Sequence, residues 1–344
     1  MPDYRELMKR HLAVAQVIGE DYHKAVPIFE DCVNYDEAEV AALAALGREM
    51  RTNVNAPDIQ EKLARFRTMR DSIHEAEHKK EKILLWPNNN MPSHTDYTDN
   101  SDYLFNHDPD FIPYMYDMCV AEDVEPKGAV ILCAGGDHGE GVVNGAYQVG
   151  KDLNALGYQC FILLNRTNHN PWSAQESGAD GARAVRYVRA HAQEYRISPD
   201  NIAWAGFSNG GITGEACIQY YSASRTVKDS FPEYVEDELD QVSADLNAFL
   251  CVYGPRFAGD SFDYENVHYP PSFFAVGRND PALKNLNYTY NDLIQHDIPA
   301  EIHTFAATPH GIAGIKIYDG YVRYPNFELW LPLADAFLKD VFGK

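Results

Sequence analysis

The chain has 344 residues, 45% of them hydrophobic, and carries 29 Lys and Arg against 51 Asp and Glu for a formal net charge of −22. That charge repels phosphate backbones and anionic lipid surfaces, which sets nucleic acid and membrane aside as partners and makes a neutral small molecule the expected substrate. The start, Met1-Pro2-Asp3-Tyr4-Arg5, lacks a basic-then-apolar layout and no run of about 18 apolar residues occurs, so a cytoplasmic protein is expected.

Taken in chain order, Tyr4, Leu7, Met8, Leu12, Ala15 and Ile18 recur at three-and-four spacing and predict a helix. An Ala- and Leu-rich stretch between Asp36 and Met50 predicts another. Ile59, Leu63, Phe66 and Ile73 follow the start signal Asn55-Ala56-Pro57-Asp58 and predict a third. Residues 86–110 are rich in Asn, Asp, Ser and Pro, which favour turns. The junction is therefore placed there, with a helical extension and linker over 1–105 and a second domain over 106–344.

Beyond the junction, apolar runs alternate with helical runs, the pattern of a mostly parallel sheet with helices on both faces. Predicted strands are Phe111–Met118, Ala129–Cys133, Gln159–Leu164, Ile202–Ala205, Ala248–Tyr253, Ser272–Val276 and Glu301–Phe305. Predicted helices include Gly145–Leu156, Gly178–Tyr195, Leu283–His296 and Phe327–Phe342. The acidic stretch from Pro232 to Asp245 is expected as a solvated loop or helix face. Cys32, Cys119, Cys133, Cys160, Cys217 and Cys251 show no C-x-x-C spacing and are expected as buried free thiols.

One stretch carries chemistry. Gly206-Phe207-Ser208-Asn209-Gly210-Gly211 follows the apolar run Ile202–Ala205 and leads into the small-residue segment Ile212–Ala216. A strand that turns sharply into a helix there exposes the Ser208 hydroxyl, and the glycines leave room where a Cβ would collide. A serine hydroxyl needs a base, and the base needs an acid to fix its tautomer. Both follow in the sequence. Asp280 lies in Gly277-Arg278-Asn279-Asp280-Pro281 just after a predicted strand, and His310 lies in Thr308-Pro309-His310-Gly311 after the next. In an open parallel sheet these loops share the carboxyl edge. For a tetrahedral oxyanion, the backbone N–H of Asn209 supplies one donor, and Gly136 and Asp137, at the glycine-rich end of the run Val130–Cys133, are expected to supply the second.

Other polar residues are expected to be structural. Asp292 and His296 read as an exposed helical pair and His303 as a packed or solvated strand residue. His138 and Glu140 have metal-like spacing but no second ligand cluster, so neither a metal nor a cofactor is expected.

These segments resemble the α/β-hydrolase superfamily over about two thirds of the chain, from Phe111 onward. The likeness runs through Gly135-Gly136, Leu153-Asn154-Ala155-Leu156-Gly157-Tyr158, the Gly181–Arg189 helix, Ile197–Ile202 before the Ser208 turn, Asp237–Ala244, Tyr253-Gly254-Pro255, and the Asp280 and His310 loops. Within the superfamily it is similar to esterases acting on acetylated xylan or feruloyl groups, and to dienelactone-hydrolase and prolyl-oligopeptidase-type domains. The resemblance implies Ser208 as nucleophile, His310 as base and then acid, Asp280 as orienting carboxylate and Asp180 as a structural cap or ion-pair partner. It implies hydrolysis of a short acyl ester of a carbohydrate or small alcohol. An exopeptidase or amidase, and a non-catalytic binding protein, are the alternatives. Many relatives carry a third glycine where this chain has Asp137. The N-terminal helices are expected to cover apolar surface or to build a homo-oligomer rather than to form a lid. Tyr147, Asn168, His169, Trp172 and Tyr321 lie in segments able to reach the pocket.

Overall fold

A computed structural model of the protein describes residues 42–43, 45–47, 49–50, 53, 55–76, 82–93, 111–136, 140–166, 173–254, 262–314 and 324–343. The chain divides into two compact units, Met1–Glu81 with Ile315–Arg323, and Lys82–Gly314 with Tyr324–Lys344.

In the first unit, helix α1 (Ile59–Ala76) begins where the Asn-Ala-Pro-Asp signal predicts, and buries Leu63 and Phe66. Lys62 pairs with Asp58 one turn earlier and with Glu49. Leu43, Leu46 and Met50 are buried at helical spacing. The helix expected over Tyr4–Ile18 lies outside the described residues.

The second unit is built on an eight-stranded sheet of order β1-β2-β4-β3-β5-β6-β7-β8. Its strands are β1 (Ile83–Leu84), β2 (Tyr114–Met118), β3 (Ala129–Cys133), β4 (Gln159–Leu164), β5 (Ile202–Phe207), β6 (Ala248–Val252), β7 (Ser272–Gly277) and β8 (Ala300–Phe305). β1 and β2 run antiparallel, and β3 to β8 are parallel to one another. Every residue of β3 to β7 is buried. Because successive side chains point to opposite faces, both faces of the sheet must be covered. The cover includes α2 (Glu140–Ala155), α3 (Ala174–Ala190), α4 (Asn209–Tyr221), α5 (Leu283–Gln295) and α6 (Trp330–Val341). Among the described residues no helix is long and apolar enough to cross a membrane.

The chain moves from β3 outward to β4 and then returns to the other side of β3 as β5. That reversal of direction is where open α/β sheets place their ligands. Register sets the height of the loops. Cys133 pairs with Gly206, Phe207 with Val252, and Gly277 with Phe305, so the loops after β3, β5, β6, β7 and β8 emerge along one edge.

Helix α3 carries polar side chains into the protein. Arg183, Arg186 and Arg189 recur every three residues along one face, and each grips the segment that the sequence reading expected to be solvated. Arg183 forms a two-armed ion pair with Asp237, Arg186 reaches Asp240 and the Val242 carbonyl, and Arg189 donates to the carbonyls of Ser243 and Asp245. Glu233 and Glu238 of the acidic stretch face solvent as expected, whereas the Asp240 side chain is turned inward onto these arginines. Asp237 caps a short 3-10 helix, Glu238–Gln241, and the Arg183 guanidinium holds its carboxyl below the usual range. Burying these arginines requires fixed carboxylate and carbonyl partners, and the acidic segment supplies them.

Residues 82–93, grouped with the N-terminal extension on sequence, belong to this second unit. β1 pairs with β2 through Ile83 and Met115, and the next residues cross onto α3. Fully buried Asp180 accepts from the Trp86 indole N–H at 2.7 Å and from Arg166 at 2.8, 2.9 and 3.0 Å. Arg166 also donates to the Ser93 carbonyl, and Arg183 donates to the Leu85 carbonyl while lying over the Trp86 ring. Trp86→Phe removes one donor from a carboxylate with no access to water. It is expected to lower stability by about 1–3 kcal/mol, read as an earlier urea midpoint at unchanged slope. An unchanged midpoint would show that Asp180 is satisfied without the indole.

Of the cysteines, Cys133, Cys160, Cys217 and Cys251 are buried free thiols, whereas Cys119 is exposed. Burial pushes the Cys217 thiol up to about 12, which leaves it neutral and unreactive.

Candidate active site

Ser208 occupies the turn between β5 and α4 with φ 52° and ψ −117°. A non-glycine residue in this region costs about 1–3 kcal/mol, which the surrounding structure must hold in place. It is held at both ends. The Ser208 N–H donates to the Val252 carbonyl at 3.1 Å, and the Ser208 carbonyl accepts from the Gly211 N–H at 2.9 Å. The two flanking glycines are required by close approach rather than by their own φ angles. A Cβ on Gly206 would overlap the Gly210 backbone, and one on Gly210 would overlap the Cys133 carbonyl oxygen.

The loop after β3 packs directly on the nucleophile. A Cβ on Gly135 would lie 2.7 Å from the Phe207 carbonyl oxygen and 2.8 Å from the Ser208 Cβ. Gly136 follows in a left-handed conformation at φ 57°, and its carbonyl accepts from the Asn209 side-chain amide at 3.1 Å. Asn209 begins α4, where the first-turn N–H groups have no intrahelical acceptor and the helix dipole favours negative charge. The Asn209 backbone and Gly136 are therefore brought to the same side of Ser208, tied together by the Asn209 side chain. Asp137 lies outside the described residues. Asn209→Ala keeps the backbone donor and removes the tie. It is expected to lower kcat about tenfold with little change in KM, because donors displaced from the oxyanion stabilise it less. A kcat within about twofold of the parent would mean that other contacts hold the loop.

Asp280 and His310 complete the arrangement from the neighbouring loops. Asp280 is buried, and its Oδ1 accepts from the Ala282 N–H at 2.8 Å, which fixes the carboxylate after β7. His310 Nδ1 lies 3.0 and 2.9 Å from the two Asp280 carboxylate oxygens, and His310 Nε2 lies 2.8 Å from Ser208 Oγ. The His310 side chain is 37% exposed while that of Asp280 is 0% exposed. With Nδ1–H donated to Asp280, Nε2 is left as the acceptor for the serine proton. The loop bearing His310 is held against β7, because the Thr308 carbonyl accepts from the Asn279 N–H at 3.2 Å.

One contact in this site is absent from the sequence reading. Tyr253, just past β6, has φ 43° and is buried, and its ring lies edge-on to the His310 ring at 5.0 Å between centroids. Its hydroxyl accepts from the Ala313 N–H at 3.1 Å, and burial pushes the phenol up, so it stays neutral. The only signal in the sequence is a tyrosine before glycine at the carboxyl end of a strand.

The solved structures with which this architecture aligns share its layout. An acetyl ester-xyloside bifunctional hydrolase from Caldicellulosiruptor lactoaceticus aligns with a TM-score of 0.55 at 20% identity, over 76% of this chain and 96% of that one. Esterase 2 of Thermogutta terrifontis, phosphorylated by paraoxon, aligns with a TM-score of 0.55 at 18% identity, over 76% and 94%. The protein has the α/β-hydrolase fold. MGS-M1, an α/β hydrolase from a Medee basin deep-sea metagenome, aligns with a TM-score of 0.50 at 20% identity, over 68% and 93%. The BD-FAE family model matches residues 120–265, a span that includes Gly136, Ser208 and Tyr253. No curated protein matches the chain. Asp280 and His310 lie beyond the matched span, so their place in the site rests on the distances above.

The remaining candidates are dispersed. His303 is partly exposed and stacks on Phe273 with Glu301 at 3.0 Å, and His296 Nδ1 lies 2.8 Å from the Asp292 carbonyl oxygen while its ring stacks on Tyr264. Tyr147 is buried in α2. His138, Asn168, His169, Trp172 and Tyr321 lie outside the described residues, as does the side chain of Glu140.

Proposed function

We propose that this α/β-hydrolase is a serine hydrolase that cleaves carboxylic esters through an acyl-enzyme, acting on short acyl groups carried by a carbohydrate or small alcohol. The observation that carries this reading is the continuous hydrogen-bonded line from Asp280 through His310 to Ser208, set at the carboxyl edge of the sheet.

As Ser208 Oγ attacks the ester carbonyl, His310 Nε2 takes its proton and the carbonyl oxygen becomes an oxyanion. The Asn209 N–H and the Gly136-Asp137 region stabilise that charge, and buried Asp280 stabilises the imidazolium. Collapse expels the alcohol, which receives the proton from His310, and leaves the acyl group on Ser208. Water then gives its proton to the same imidazole and attacks the acyl-enzyme, releasing the acid and restoring the serine. The 2.8 Å contact to His310 Nε2 already holds the Ser208 hydroxyl at the base.

The esterase character of the aligned structures supports this reading. One is an acetyl ester-xyloside bifunctional hydrolase, and the Thermogutta esterase has been solved with propionate and with butyrate bound. Initial rates on aryl esters from acetate to octanoate, on acetylated xylo-oligosaccharides and on a matched anilide test it. Hydrolysis that falls with acyl length and favours ester over amide is expected. Faster cleavage of the amide, or no cleavage of any ester, would overturn it.

A further inference from the structure

We infer that Tyr253 is a positioning residue for the base, joining the nucleophile's turn to the His310 loop. The inference rests on the proposed esterase reading, in which His310 is the base, and concerns how that imidazole is held.

Tyr253 is bound to both halves of the site through different atoms. Its backbone is continuous with the acceptor of the nucleophile's turn, since the Val252 carbonyl takes the Ser208 N–H. On the other side, the Tyr253 N–H donates to the Ala275 carbonyl of β7 at 2.7 Å, the strand that leads to Asp280. The next residue, Gly254, is packed so closely that a Cβ there would lie 3.2 Å from Gly211 Cα and 3.3 Å from the Ser208 carbonyl oxygen. The side chain then leaves this fixed backbone toward the base. Its ring flanks the His310 ring, and its hydroxyl takes the Ala313 N–H three residues further along the same loop. Phe207 and Phe327 pack on the ring at 6.3 and 5.9 Å, so the phenol itself has a fixed place.

The need for such a brace follows from how the base is mounted. His310 sits in a loop, not on a strand, and its ring is partly exposed. Asp280 holds Nδ1 but leaves the ring able to swing about that bond, which would move Nε2 off Ser208 Oγ. A buried aromatic wall on one side and an anchor at Ala313 restrict the swing. The backbone of Tyr253 has φ 43°, in the left-handed region that a non-glycine residue rarely adopts. A bulky residue held there is a local conflict of the kind that gathers at functional sites.

Two variants and three readouts test the inference. Tyr253→Leu removes ring and hydroxyl and is expected to lower kcat about 10²-fold with KM nearly unchanged, whereas Tyr253→Phe keeps the wall and is expected to lose only about fivefold. Phosphorylation of Ser208 by paraoxon should slow in the same order. Independently of turnover, the low-field proton NMR signal of His310 Nδ1–H should broaden or vanish in Tyr253→Leu and persist in Tyr253→Phe. If Tyr253→Leu does not fold, the Phe variant alone decides through its kcat and KM split. Parent-like kcat, phosphorylation rate and proton signal in the folded variants would overturn the role of Tyr253. A parent protein that cleaves no ester and takes no phosphoryl group, yet shows a His310 signal that Tyr253→Leu abolishes, would overturn the proposed reaction while leaving the positioning role in place.

Discussion

Ser208→Ala is expected to reduce ester turnover roughly 10⁶-fold while leaving the fold and the unfolding midpoint close to those of the parent. The loss is large because the serine supplies the bond that forms in the first step. His310 and Asp280 can only activate a nucleophile that is present. The substitution is mild for the backbone, since among the described residues the Ser208 Oγ contact is the 2.8 Å one to His310. Alanine must still adopt φ 52°, so the strain of the turn persists and a small shift in midpoint in either direction is acceptable. Steady-state kinetics on an aryl acetate together with urea denaturation separate lost chemistry from lost structure. Turnover within about tenfold of the parent would remove Ser208 from the reaction.

Asp280→Asn is expected to lower kcat about 10⁴-fold at neutral pH with little change in KM. The amide has nearly the shape of the carboxylate, but it presents an N–H where His310 Nδ1 meets an acceptor. The imidazole is then drawn toward the tautomer that carries its proton on Nε2, facing Ser208 Oγ, and cannot take the serine proton. Asp280 is buried and also accepts from the Ala282 N–H, so the substituted amide is held in place facing His310. Comparison of kcat and KM for the two proteins checks this. A loss of only a few-fold would mean that another group orients the base.

The sheet and the three side chains were legible because each rests on local chemistry. Apolar runs of four to six residues predicted β3, β4 and β5 with the right starts, and the Gly-x-Ser-x-Gly turn between a strand and a small-residue segment pointed to Ser208. Asp280 and His310 could be found because each follows a strand in the order the fold requires. What the sequence hid was pairing at a distance. The two-residue strand β1 is too short for any periodicity to register, and its place in the sheet depends on Tyr114 and Met115 some thirty residues away. The acidic stretch is largely solvated, as its composition suggests, but composition alone does not show that Arg183, Arg186 and Arg189 line up along one helix face and draw Asp237, Asp240 and the Asp245 carbonyl onto it. Tyr253 reads as the end of a strand, and its meeting with His310 depends on loops fifty-seven residues apart in the chain.

The most direct test of the account is to catch the acyl-enzyme. The protein is mixed with excess p-nitrophenyl acetate, quenched in acid within the first turnovers and digested for peptide mass mapping. An acetyl group is expected on the peptide that contains Ser208, absent from Ser208→Ala and accumulating in step with a burst of nitrophenol. Turnover without any acetylated Ser208 peptide, or acetyl at another residue that survives Ser208→Ala, would contradict it.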